Sequence, residues 1–178
     1  MRINKKRPYL SFYKANFEGA EFQDLQKAGI GGVVIRDSNG EVIGALSESS
    51  FLPATVEDVA ANACRKAVSF ARDLGLEKVV FECDSETITR AINSDFTCLT
   101  SFGHIADDAR TLALCFNSFS FIHVKRSGNA VADKLAKLAK YSHSKVWYDD
   151  IPHDVKRERE RERIFLKEGC GVGNVIMI

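Results

Sequence analysis

Three carboxylates lie far apart in the chain, at positions where a fold can gather them: Glu18 in "NFEGA", Asp84 in "FECDS" and Asp133 in "NAVADKLAK". Each alone has an ordinary use. Glu18 falls on the polar side of an alternating segment, and Asp84 ends an apolar run, where it suits a helix cap. Asp133 has Lys137 four residues on, the spacing of a helical ion pair. Brought together they would repel one another unless something positive lay between them, and a divalent cation with oxygen ligands is the usual answer. Cations stand nearby in sequence. Lys125 and Arg126 precede Asp133, and Lys134, Lys137 and Lys140 give the segment after it one basic side, fit for a phosphate backbone or simply for solvent.

The elements that would position these groups can be read from periodicity. Residues near 11–18 alternate as a strand, and "AGIGGVVIRD" and "EVIGALSES" supply two more, joined through Asn39-Gly40, a strong hairpin signal. Thr55 is a good helix N-cap with Asp58 three residues on, and Val56, Val59, Ala60, Ala63, Ala67, Phe70, Ala71 and Leu74 recur at helical spacing until Gly75. "KVVFECD" reads as a buried strand, "SETITRAINS" and "FGHIADDARTLALCF" as helices, "SFSFIHV" as a strand, and "NAVADKLAKLAKYS" as a last helix starting near Asn129. The order βββαβααβα predicts an α/β fold: a five-stranded mixed sheet, three antiparallel strands then helical crossovers, flanked by helices. In such a sheet the first and fourth strands are neighbours, and the helix of Asp133 packs across their ends.

Composition bounds the rest. The 178 residues suit one domain; 45% are apolar and 28% charged, and the net charge of +1 means that any attraction to a polyanion is local. Five separated cysteines, without a CxxC pair, point to a reducing compartment, cytoplasmic or nuclear. The basic start "RINKKR" lacks a signal peptide's apolar stretch, and no segment has the length of a membrane span. The reading divides the chain into a basic arm over 1–9, a domain over 10–148 and a charged, flexible tail over 149–178, in which "KRERERER" alternates in sign.

The stretches "KANFEGA", "AGIGGVVIRDSNGEVIG", "KAVSFARDLGLEKVVFECDS" and "FIHVKRSGNAVADKLAKLA" resemble the RNase H type-one fold, and more narrowly the reverse-transcriptase-like, retroelement-derived RNase H domains of plants. The resemblance implies an RNase H-like domain that hydrolyses the RNA strand of RNA/DNA hybrids. The resemblance also implies two Mg2+ ions about 4 Å from each other, held by four carboxylates. It assigns the first carboxylate to Glu18, the third to Asp84 and the fourth to Asp133, as metal ligands and catalytic groups. It places Asn16, Gly19, Lys125 and Arg126 at the nucleic acid, and reads His123 as structural.

The chain departs from that pattern twice. Glu18 stands where the family has Asp, adding a methylene, and Ala60 stands where the family has a helix Glu. A methyl group cannot coordinate a cation, and a ligand displaced by ~1 Å can cost around a hundredfold in rate. Glu57, one turn before Ala60, is a candidate substitute with a competing use as a first-turn acid. The expectation is an impaired nuclease with one weak Mg2+ site or none. The alternatives are an inactive nucleic-acid-binding module and a protein-interaction module derived from a mobile element. No membrane partner is expected.

Overall fold

The computed structural model describes residues 12–96 and 99–168. The basic arm over 1–9, Cys98 and Cys170 lie outside the described residues. Strands β1 (Tyr13–Phe22), β2 (Lys27–Arg36) and β3 (Val42–Phe51) are followed by helix α1 (Val56–Asp73), β4 (Lys78–Cys83), α2 (Glu86–Asn93), α3 (Ser101–Ala113) and β5 (Ser118–His123). Helix α4 (Ala130–Leu138), strand β6 (Ser144–Tyr148) and helix α5 (His153–Glu168) complete the order. The six strands form one mixed sheet in the order β5-β4-β1-β2-β3-β6. β1, β2, β3 and β6 pair antiparallel, whereas β4 pairs parallel with both β1 and β5.

Local chemistry accounts for these elements. At the β2–β3 turn Gly40 adopts φ 78°, which a glycine accepts without strain, and the Asp37 carboxylate accepts from the backbone N–H of Asn39 and Glu41, both at 2.9 Å. Thr55 caps α1 through a 3.1 Å bond from Asp58 N to its hydroxyl, while the Asp58 carboxylate reaches Ser101 and fastens α1 to α3.

Alternate residues of β2 serve two cores. Val33 and Ile35 join α1, α2 and α3 in the larger one; Val34 joins Val131 and Leu135 of α4 in the smaller. Helix α4 comes unusually close to the sheet because Gly32 offers no side chain: a Cβ there would sit 2.6 Å from both Cβ and N of Ala136.

The expected fold class is observed, with one strand more than the five expected. β6 went unread because four of its five residues are exposed, so no apolar alternation marks it; backbone pairing with β3 makes the strand. Packed structure also continues past the expected boundary at 148. Ile151 and Val155 are buried in the smaller core, and α5 runs to Glu168. Among the described residues no helix is long and apolar enough to cross a membrane.

Candidate functional site

β1 and β4 run parallel, with Asn16 opposite Glu82, so Glu18 near the middle of β1 and Asp84 just beyond β4 come to one place. The two carboxyl groups share a hydrogen bond. Burial pushes the Glu18 carboxyl from 4.5 up to about 8, helped by the bond to Asp84 and by its charge, and opposed by bonds from Gly19 and Asn129. Gly19 N donates to Glu18 Oε1 at 3.0 Å and Asn129 Nδ2 to Glu18 Oε2 at 3.0 Å. Glu18 therefore holds a proton at neutral pH in the absence of a cation.

Asn129 deserves its place in the site through a choice that the sequence conceals. It stands at the N-cap of α4, where an Asn side chain ordinarily satisfies a free helix N–H, yet it makes no such bond. Its amide instead donates to Phe17 O (3.0 Å) and to Glu18, pinning the start of α4 to the strand that carries the first carboxylate. The Asn129 side-chain oxygen accepts from Asn16 Nδ2 at 3.3 Å. Asn16, expected at the nucleic acid, is thereby corrected to an interior residue. It is 1% exposed, donates to Glu82 Oε2 (3.0 Å) and accepts from Arg36 (2.9 Å), so no atom is left for a ligand.

An open cavity of about 650 Å3 lies beside this network, and Glu18, Gly19, Ala60, Arg126 and Asp133 all line it. Asp133 is bound to Lys137 Nζ at 2.6 Å, and Asp84 faces Arg126 Nε at 3.5 Å. Among the described residues no three acidic, His or Cys side chains stand together in a way that could hold a metal ion. Glu18 and Asp84 are brought together, and Asp133 lines the cavity with Glu18 but is engaged by Lys137. Ala60 occupies the wall between α1 and these acids. Glu57, one turn before Ala60, is exposed and is not among the residues that line the cavity.

The remaining expected contacts divide. Gly19 is pressed against α1, since a Cβ on it would lie 2.6 Å from Val59 Cγ1, and its N–H is already used by Glu18. Lys125 and Arg126 are exposed, and only Arg126 lines the cavity. His123 places Nε2 3.2 Å from the Asp84 carbonyl oxygen, tying the edge strand to the turn after β4.

Residues 16–139 match the family described as reverse transcriptase-like. The chain belongs to the reverse transcriptase-like family. The matched segment takes in every carboxylate of the site and ends at the close of α4.

Solved structures place the same domain among RNase H folds. RNase H1 of the halophilic archaeon Halobacterium salinarum superposes with a TM-score of 0.61 at 23% identity, over 72% of this chain and 96% of the archaeal one. LC11-RNase H1, solved in complex with an RNA/DNA hybrid, gives 0.59 at 22% identity over 71% and 95%. The foamy viral protease-reverse transcriptase, solved with double-stranded DNA, gives 0.57 at 16% identity over 74% and 94%. No curated protein matches the chain. At these identities the reverse transcriptase-like domain shares a fold with its structural neighbours, and fold alone does not fix function.

Proposed function

We propose that this reverse transcriptase-like domain binds RNA/DNA hybrids and that its metal-dependent hydrolysis of the RNA strand is impaired. One observation carries the reading: Ala60 lines the cavity of Glu18 and Asp133 with a methyl group, on the helix where the family supplies a carboxylate.

As they stand the described donors form no three-ligand cluster, and one divalent ion is the most they would hold. Burial and the adjoining Asp84 carboxylate favour a proton on Glu18, and Mg2+ is the proposed replacement for that proton. Asp133 is the third proposed ligand once Lys137 yields it. When bound, such an ion would polarise the scissile phosphate and lower the pKa of a coordinated water. The protein's own contribution is positional. Asn129 and Gly19 hold both oxygens of Glu18, and Arg126 sits beside Asp84, where an exposed guanidinium suits a phosphate oxygen. Lys125 and the backbone at Gly19 are the further proposed contacts, and Asn16 serves them only from within.

The test is a labelled RNA/DNA hybrid incubated with Mg2+ or Mn2+. Binding with slow cleavage is expected, with Ala60→Glu raising the rate and Glu18→Asp adding to the gain. Rapid metal-dependent cutting by the unchanged protein overturns the impairment. Absence of hybrid affinity at low salt overturns the nucleic-acid reading and favours a protein-interaction module.

A further inference from the structure

The cavity extends well beyond its carboxylates, and its far end has a different chemistry. Phe22 lies four residues along β1 from Glu18, about 13 Å at the strand rise. Tyr141 lies eight residues past Asp133, about 12 Å at the helical rise. Both line the same space, so the cavity runs along β1 and α4 together. Phe22, Val56, Lys137, Lys140 and Tyr141 all line it. Lys140 Nζ stands 5.9 Å from the Phe22 ring centroid. Tyr141 is 84% exposed and Val56 61%, large apolar surfaces left uncovered at a basic rim. Lys137 and Lys140 each hold a carboxylate, Asp133 and Asp24, whereas Lys134 on the same rim has no ion pair among the described residues.

We infer that this far end is a subsite for an unpaired nucleoside of a single-stranded extension, its base stacked on the exposed Tyr141 and its phosphate on Lys134. The inference rests on the reading of the domain as a hybrid binder and names a part of the substrate that a blunt duplex lacks. Aromatic faces interleaved with lysines are what single strands select, because each base offers a π-face and each linkage a negative charge. A paired base has both faces covered and cannot enter a concave site, whereas an unpaired one is free to turn into it. Loss of the helix carboxylate contributes, since Ala60 continues the apolar wall toward Val56 instead of repelling a phosphate.

The experiment compares a blunt RNA/DNA hybrid with the same hybrid bearing a short single-stranded RNA extension, by fluorescence anisotropy in EDTA so that nothing is cut. The extension is expected to tighten binding by about tenfold, the effect of one stacked base. Tyr141→Ala is expected to abolish that gain, Tyr141→Phe to keep it, and neither to shift the melting temperature, because the side chain is exposed. Equal affinity for both hybrids, or a gain that survives Tyr141→Ala, overturns the subsite and leaves hybrid binding standing. Failure of both hybrids to bind overturns the hybrid reading and the subsite with it.

Discussion

Gly32 lies directly across the sheet from Glu18, and its missing side chain lets α4 rest on the strand pair at that point. In Gly32→Ala the new Cβ would meet Cβ and N of Ala136 at 2.6 Å, where ordinary contacts are 3.4–4 Å, and it would also crowd the carbonyl oxygen of Ala132. The opposing atoms are mainly backbone of a helix, so relief requires α4 to retreat by about 1 Å. Overpacking of this kind costs about 1–3 kcal/mol. For a chain of this size that lowers Tm by roughly 2–12 °C, read from thermal unfolding by circular dichroism. Retreat of α4 also stretches the Asn129–Glu18 bond of 3.0 Å and carries Asp133 away from the cavity, so hybrid affinity should fall alongside Tm. Gly128→Ala is the control, because a Cβ there meets nothing within 4 Å. A Gly32→Ala protein that melts with the parent would refute the reasoning that the glycine sets the helix distance.

Three further outcomes are expected. Because Glu18 titrates at about 8 when folded and near 4.5 when free, the folded state binds the extra proton between those values, and metal-free stability should fall as pH rises from about 5 to 8, by on the order of a few kcal/mol. Thermal melts in EDTA should show this slope and Glu18→Gln should flatten it; an identical slope in both proteins refutes the assignment. Asn129→Ala strips donors from Phe17 O and Glu18 and should destabilise by about 1–3 kcal/mol in denaturant titrations, an unchanged midpoint counting against the pinning role. Arg126→Gln should weaken hybrid binding and reduce the log–log salt slope by about 0.9, as expected for one phosphate contact, and an unchanged slope removes Arg126 from the interface.

The residue pattern determined the fold class. Hairpin chemistry at Asn39-Gly40, the apolar stripe after Thr55 and the buried run "KVVFEC" specify three antiparallel strands, a covering helix and a parallel fourth strand, because periodicity reports which side of an element leaves water. That Ala60 offers no ligand was equally legible, since a methyl group has no lone pair wherever it is placed. Tertiary structure alone decided how the polar groups pair. Asn16 reads as a nucleic-acid contact and Asn129 as the start of a helix, yet they meet across 113 positions because α4 packs against β1. That meeting withdraws Asn16 from any ligand and turns Asn129 toward Glu18. β6 likewise forms on backbone bonds that no side-chain pattern announces. Hydrophobic burial is written locally, residue by residue; hydrogen-bond partners are selected only after the strands have aligned.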